Sequence, residues 1–385
     1  MDLQPTAEQE AFRRDAREWL QANRPTSSLP SMDTADGFEA HRRWERQLHD
    51  AGWAVVNWPV EYGGRSADLA CWLIFEEEYH ALGCPGRVGQ NGIFMMGPTL
   101  LEFGTDEQKE RFLSPMARAD HIWCQGWSEP DTGSDLAAVR TRAQRADGGF
   151  VVNGSKTWVS RGAFAGWMFA LVRTGSDDER HRGLTFVVLP MDADGVTVRP
   201  IRQVDGKIGF AEVFLDDVFV PDDQVIGEPG SGWGIAMATA AFERGILLRS
   251  PGRFLATADR LVDLARAHPR GGALGVRSEV VDAWIRAQAY RLHTGWLLAR
   301  YVAGDDLGAT ASLNKIFWSE MDLATHRTAM TLVGGLDAID AHVEPGGAPR
   351  WVDGYLFSLA GPIYAGTNQI QRNIVADRML LLPRT

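Results

Sequence analysis

The sequence predicts an α+β protein in which helices precede and follow a β-rich middle segment. Apolar residues recur at helical spacing over 1–120, short β-type runs between turns fill 121–227, and helical spacing returns over 228–385. A chain of 385 residues is too long for one small core and allows two or three domains. We therefore predict an N-terminal α-helical domain, a middle antiparallel β domain and a C-terminal helical domain with these bounds.

The first helix is predicted from a capping signal near the N-terminus. Thr6 and Gln9 have the T-x-x-Q spacing of a capping box, in which each side chain bonds the backbone N–H of the other residue. Phe12, Trp19 and Leu20 follow at the spacing of one apolar helix face. We expect a helix that begins just after Thr6.

The middle segment is assigned to β structure because of the run GGFVVNGSKTWVSRG. Asn153 and Gly154 stand between two short β-type stretches, a pattern that predicts a hairpin turn. The runs GLTFVVLP and AEVFLDDVFVP continue in the same style. Beyond IGEPGSGWG the helical pattern resumes, with a looser loop at RAHPRGGALG.

Charge and composition argue against several classes of function. The chain has 39 basic and 50 acidic residues, a net charge of -11, without the basic patch that binds nucleic acid. No window of about 18 apolar residues predicts a membrane span, and the charged N-terminus is unlike a signal peptide. Cys71, Cys84 and Cys124 form no CxxC pair, so we expect no metal site and a reducing, cytoplasmic location.

A polar loop lies early in the β segment. GWSEPDTGSD, residues 126–135, gathers Ser128, Gly133 and Ser134 around a proline, so that hydroxyl and backbone N–H groups can converge on a phosphate or on ring heteroatoms. Read alone, the same residues also describe an ordinary polar turn.

An aromatic residue and a hydroxyl share one face of a later strand. Trp158 and Ser160 in KTWVS point the same way because side chains alternate along a strand. A flat ring beside a hydroxyl suits an aromatic cofactor, although a Trp on a β surface is more often part of a core.

The segment AGPIYAGTNQIQRNIVADRML, residues 360–380, combines a turn with a helix start. Thr367 can cap the helix, and Gln369 lies in its first turn, where free backbone N–H groups can hold a polar ligand. Ala365 stands at the mouth of this segment and has no acid-base chemistry. A catalytic group therefore has to come from elsewhere in the chain.

Taken in order, SEPDTGSD, NGSKTWVS, DDVFVP and IYAGTNQIQRNIVADRM strongly resemble the acyl-CoA dehydrogenase family over essentially the whole chain. The resemblance implies an N-terminal helical domain, a middle β domain and a C-terminal four-helix bundle, with FAD held between them. It also implies α,β-desaturation of an acyl-CoA thioester with hydride transfer to FAD. An electron-transfer flavoprotein-like acceptor would then take the electrons.

The resemblance assigns ligand contacts residue by residue. The implied cofactor contacts are Gln125, Trp127, Ser128, Gly133 and Ser134 in the loop, Trp158, Val159 and Ser160 in the strand, and Gly366, Thr367, Asn368 and Gln369 at the helix start. The implied substrate contacts are Ser134 and Arg244.

The catalytic base is reassigned, because many family members place a glutamate where this chain has Ala365. One branch takes its base from a helix, at the residue before an arginine, and FER makes that residue Glu243. Its helical neighbours Ala236, Thr239 and Leu247 offer no basic partner, so burial would raise its pKa toward the range useful for proton abstraction. A solvent-facing glutamate is the alternative. By resemblance, the backbone N–H of Ala365 and a flavin ribityl hydroxyl bond the thioester carbonyl.

Two further departures concern assembly. Family tetramers complete each FAD site with R-x-x-F-G and Q-x-x-G-G elements from a neighbouring subunit. Here these elements fall on GGALG and TLVGG, with Gly271, Leu274 and Thr331 in place of Arg, Phe and Gln. This combination resembles a heteromeric bacterial branch that acts on bulky or steroid-derived acyl-CoAs, and it implies an α2β2 heterotetramer with a related subunit. A homotetramer in which Arg270 or Arg277 substitutes stays open.

Two other functions also stay open. One is a flavin-dependent oxidase or monooxygenase on the same fold, in which the reduced flavin reacts with O₂. The other is a non-catalytic partner subunit, although a passive chain has no reason to keep Ser128, Trp158, Thr367 and Glu243 together.

Overall fold

The computed structural model describes residues 5–244, 249–305, 308–334 and 350–383, and of residues 242–244 only the backbone. Contacts divide the chain into two compact units. The helical unit comprises Met1–Ser28, Ala67–Pro85 and Arg244–Thr385, and the sheet unit comprises Leu29–Ser66 and Gly86–Glu243. The division into three domains at residues 120 and 227 stays a prediction.

Helices occupy most of the chain before residue 120 and after residue 230. In the part of the chain that the structure describes they are α1 Ala7–Asn23, α2 Ala35–Asp50, α3 Leu69–Ala81, α4 Gly97–Phe103, α5 Asp106–Ala117, α6 Gly232–Arg244, α7 Pro251–Ala267, α8 Leu274–Val302, α9 Thr310–Val333, α10 Trp351–Ala360 and α11 Asn368–Arg378. None of these helices combines the length and the apolar composition needed to cross a bilayer.

The intervening segment is a sheet. Its strands are β1 Trp123–Gly126, β2 Arg142–Ala146, β3 Gly149–Ser160, β4 Trp167–Arg173, β5 Leu184–Pro190, β6 Val196–Ile201, β7 Phe210–Pro221 and β8 Val225–Ile226. They pair in the order β6-β7-β3-β2-β4-β5-β8, with β1 added beside β4. Most pairs are antiparallel, whereas β1 and β2 each pair with β4 in parallel. This succession of helices, sheet and helices confirms the predicted fold class.

The capping box at the start of α1 is confirmed. Gln9 donates its backbone N–H to the Thr6 hydroxyl at 3.2 Å, and Thr6 donates its own to the Gln9 side chain at 3.0 Å. Leu20 is buried, while Phe12 and Trp19 are half-buried on the same helix. The first helix therefore begins where the sequence predicts.

The predicted hairpin turn at Asn153 and Gly154 is wrong. β3 runs without a break from Gly149 to Ser160, and the turn lies at Asp147 and Gly148, between β2 and β3. Asn153 instead exchanges two hydrogen bonds of 2.9 Å with Asp217 of β7, at a shift of register between the strands. The Asn-Gly pair marks this bulge, and the neighbouring Asp-Gly pair, an equally strong turn signal, forms the hairpin.

Each unit has its own apolar core. In the sheet unit, buried side chains of the central strands pack together, among them Val152, Met168 and Val187. In the helical unit, Phe254 of α7, Tyr290 of α8 and Trp318 of α9 form one cluster. The helices and strands that these cores hold in place contain or adjoin the predicted site residues.

Candidate functional site

The polar loop after β1 is attached to β3 through its backbone. The N–H of Thr157 donates to the carbonyl of Ser128 at 2.9 Å. Gln125 lies within β1, opposite Phe169 of β4, so the loop leaves the sheet from a fixed point. Farther along, Gly133 and Ser134 are exposed. The structure thus brings the loop and the Trp-Ser strand together, as the site prediction requires.

A buried ion pair, which the sequence reasoning missed, holds the same junction. The Lys156 ammonium lies 2.8 Å from Glu129, and Lys156 has no exposed surface. It also donates to the carbonyl of Leu171 at 2.7 Å, and more weakly to that of Trp127 at 3.5 Å. Glu129 belongs to the motif GWSEPDTGSD and Lys156 to the motif KTWVS, 27 residues further along the chain. Their contact becomes visible only when the loop is seen packed against β3.

Glu129 is satisfied on every side. Its carboxylate accepts the backbone N–H groups of Arg140 and Thr141 at 2.7 and 2.9 Å, and the Thr141 hydroxyl at 2.6 Å. Burial by itself raises the pKa of Glu129, but the charge of Lys156 and these hydrogen bonds outweigh burial and hold the pKa below its ordinary value. The residue is therefore a charged clamp for the loop.

Trp158 presents its ring to the outside of the sheet unit. Its side chain lies on a strand, yet the residue is 61% exposed and its φ is +57°, in the left-handed region. Between Lys156 and Val159 the pairing with β7 shifts, so the backbone bulges at this residue. Val159 is fully buried and Ser160 half-buried. The reading of Trp158 as a core residue is thereby excluded.

Unlike Trp158, Trp127 directs its ring into the interior of the sheet unit. It is 7% exposed, and its ring makes edge contacts with Phe169 and Phe186, whose centroids lie 6.2 and 6.4 Å away. Its indole nitrogen is buried without a described hydrogen-bond partner. Only the backbone and this N–H of Trp127 can serve a ligand, because the rest of the ring packs inside the sheet unit.

In the helical unit, the loop before α11 has an unusual backbone. Ala365 and Gly366 adopt φ values of +55° and +79°. Gln371 donates its side-chain amide to the carbonyls of both residues at 3.3 Å. Because C=O and N–H of a trans peptide point in opposite directions, the N–H groups of Gly366 and Thr367 are directed away from Gln371. These two N–H groups therefore do not bond to Gln371.

The start of α11 is fixed by two further contacts. Thr367 caps the helix as predicted, accepting the N–H of Ile370 at 3.2 Å. Asn368 is buried, and its side-chain oxygen accepts from Lys315 of α9 at 2.6 Å and from Ser319 at 3.2 Å. The Asn368 side chain is thus committed to anchoring the loop, whereas Gln369 is exposed.

The predicted base lies at the end of α6. Ala236 and Thr239 on its helix are fully buried, and Thr239 shares a hydrogen bond of 2.7 Å with Thr99. The backbones of Glu243 and Arg244 complete α6, but their side chains, like Leu247, lie outside the described residues.

Comparison with known proteins identifies the family. Residues 6–120, 124–218 and 230–380 match the N-terminal, middle and C-terminal domains of acyl-CoA dehydrogenases. The chain is 37% identical to acyl-CoA dehydrogenase IpdE1 of Mycolicibacterium smegmatis over 397 residues, which cover 98% of each protein. The chain belongs to the acyl-CoA dehydrogenase family.

Two solved structures are also similar. The Tcur3481-Tcur3483 steroid ACAD superimposes with a TM-score of 0.86 at 26% identity, and the ChsE4-ChsE5 complex from Mycobacterium tuberculosis with a TM-score of 0.82 at 29% identity. Each match covers 100% of both chains.

As a family member, the chain is an FAD-dependent oxidoreductase that desaturates an acyl-CoA thioester. The described residues fit an isoalloxazine cofactor. Trp158 exposes a flat ring, and Trp127 has a buried indole N–H without a described partner. In the helical unit, the backbone N–H groups of Gly366 and Thr367 point away from Gln371.

Proposed function

We propose that this acyl-CoA dehydrogenase works as one subunit of a complex with a related chain, and that it supplies the flavin contacts and the base Glu243 but not the elements that bind the adenine half of FAD. The observation that carries the proposal is the backbone at Gly271. A Cβ added there would lie 1.7 Å from the carbonyl oxygen of Ala265. No arginine fits at this position without moving the backbone.

Arg270, the residue before Gly271, does not take over the role of the missing arginine. Arg270 donates to the backbone carbonyls of Thr331 and Leu332 at 2.8 and 3.1 Å. Its guanidinium therefore caps the end of α9 and joins the two altered elements to each other. Since this charge is used within the chain, it supports loss of the adenine contacts rather than their replacement in a homotetramer, although exposed Arg277 leaves that alternative testable.

An apolar stripe on α8 supports a protein partner. Val281, Ile285, Leu292 and Trp296 recur at helical spacing and are 49, 54, 54 and 38% exposed. Several exposed apolar residues on one helix face are typical of a subunit interface. Both similar solved structures are named after two proteins, which favours an α2β2 assembly, and one is named a steroid enzyme, which favours a bulky acyl group.

In the proposed desaturation, one group accepts a proton from the substrate and another accepts a hydride. Glu243 takes the α-proton, the Cα electron pair forms the new double bond, and the β-hydrogen leaves with its electron pair. FAD, when bound, accepts that hydride. The backbone N–H of Ala365, a residue held in the left-handed region, would bond the thioester oxygen together with a flavin ribityl hydroxyl and stabilise the developing enolate. The electrons then pass to an electron-transfer flavoprotein-like acceptor.

We place the complex in the cytoplasm as part of β-oxidation-type lipid metabolism. The absence of a disulfide among Cys71, Cys84 and Cys124 in the described residues supports a reducing compartment.

Anaerobic flavin bleaching tests the proposal. The chain is purified alone and after co-expression with a related chain that keeps both adenine-side elements, and each sample is mixed with acyl-CoA thioesters of linear and polycyclic acids. We expect stoichiometric FAD and bleaching only in the co-expressed sample. Full FAD content and bleaching of the chain alone would contradict the shared site.

A further inference from the structure

A buried arginine in the helical unit forms no ion pair with any residue that the structure describes. Arg249 precedes α7 and is 7% exposed. Its guanidinium lies over the rings of Trp318 and Tyr364, at 5.0 and 5.1 Å from their centroids. Cation–π contacts of this kind compensate only part of the lost hydration of a buried cation.

Burial by itself raises the pKa of Asp322, the nearby acid, and the charge of Arg249 helps to lower that pKa below its ordinary value, but the two groups form no ion pair. Asp322 is buried, but its carboxylate lies 3.2 Å from His326 and 3.9 Å from Arg253. Among the residues that the structure describes, the buried Nε atom of Arg249 has no hydrogen-bond partner, and no carboxylate forms an ion pair with the guanidinium. A buried donor group of this strength is unfavourable unless an acceptor arrives from outside the described chain.

The place of Arg249 in the chain connects it with the proposed chemistry. Tyr364, on which it stacks, directly precedes Ala365, and Arg249 follows Glu243 by six residues. The surroundings are aromatic, since Phe254 stacks near Trp318 at 6.2 Å and Phe357 lies 6.1 Å from Tyr364. An aromatic environment suits a ring-bearing acyl group better than the hydrated phosphates of CoA.

We propose that Arg249 determines substrate specificity by donating hydrogen bonds to an acceptor oxygen on the acyl group, remote from the thioester. A ring ketone would accept one N–H of the guanidinium, and a carboxylate would accept two. This inference rests on the proposed function, because it assumes that Glu243 and Ala365 face the thioester end of the same substrate.

The test uses the FAD-loaded complex and matched pairs of CoA thioesters. One pair is a cycloalkylpropanoyl-CoA and its ring-oxo derivative, and the other is a linear acyl-CoA and its ω-carboxylated derivative. Arg249→Met should lower kcat/KM for the oxygenated member of one pair by about ten- to a hundredfold, with little change for the plain member. The affected pair identifies the acceptor as ketone or carboxylate.

A second arginine provides the control. Arg260, in the middle of α7, stacks on Trp351 at 4.5 Å, so Arg260→Met removes a stacked cation without the proposed substrate contact. It should leave the ratio of kcat/KM within each pair unchanged. If Arg249→Met fails to assemble, Arg249→Lys retains a cation but not the planar fork, and should lower the same ratio.

The outcomes separate this inference from the proposed function. If the wild-type complex oxidises none of the thioesters, the proposed function fails. If the complex oxidises them and either Arg249 variant changes both members of each pair equally, or changes neither, the specificity role of Arg249 is overturned while the function stands.

Discussion

The two halves of the expected FAD site differ sharply in this chain. Among the residues predicted to contact the flavin, Ser128 accepts the backbone N–H of Thr157, the ring of Trp158 is exposed, and Thr367 caps its helix. On the adenine side, Gly271 is pressed against the backbone of Ala265 and the position of Thr331 carries no amide. The residues predicted for the flavin half match the family motifs, whereas those predicted for the adenine half depart from them.

In the proposed account, loss of a ligand contact at Gly271 extends beyond the side chain to the backbone. If Gly271 were merely a truncated arginine, space for the longer side chain would remain. Instead the chain has closed over that space, and Arg270 uses its charge to cap α9. A partner that supplies the missing contacts explains why the flavin half is still held in place.

The largest expected effect follows from the clamp on the flavin side. Lys156→Met leaves the Glu129 carboxylate buried and unpaired, which should destabilise the protein by about 3–5 kcal/mol. We expect a clear fall in the midpoint of urea unfolding and in FAD content. The matched control is Arg199→Met, which breaks an exposed pair with Glu212 and should change neither. Equal midpoints for the two variants would refute the clamp.

The proposed base gives the next effect. Glu243→Gln keeps the shape of the side chain but removes proton abstraction, so turnover of the FAD-loaded complex should fall at least about 100-fold. FAD content should remain that of the wild type. Glu228→Gln, at an exposed carboxylate before the same helix, should retain full turnover. Near-normal activity of Glu243→Gln would show that the proton goes to another group.

The smallest expected effect is that of a substitution at Gly271, a residue predicted to belong to the adenine side. Gly271→Arg restores the missing residue type, yet its Cβ would meet the Ala265 backbone, so we expect a loss of about 1–3 kcal/mol in unfolding free energy and no gain in FAD. Gly272→Arg is the matched control, because an added Cβ there meets nothing within 4 Å. Tight FAD binding by lone Gly271→Arg would mean that the site was only truncated.

Local signals in the sequence predicted much of this fold. The capping box at Thr6 and the cap at Thr367 depend on residues three positions apart, and both are confirmed. The hairpin turn was misplaced because two Gly-containing dipeptides lie close together, and only the register with β7 decides that Asn153 marks a bulge.

The contacts that fix the candidate site were beyond local reasoning. Glu129 meets Lys156 across two separate elements, and Lys315 meets Asn368 at a separation of 53 residues. Substitution at Gly271 was visible in the sequence, but its closeness to Ala265 depends on how the chain turns after α7. Such contacts arise from tertiary packing, which single-residue preferences do not encode.

Native mass spectrometry of the co-expressed complex tests the central claim most directly, because it counts chains and cofactors in the same particle. If this chain lends no adenine contacts, a particle with two copies of each chain should hold two FAD molecules. The chain alone should hold little or no FAD. Four identical copies of this chain carrying four tightly held FAD molecules would contradict the account.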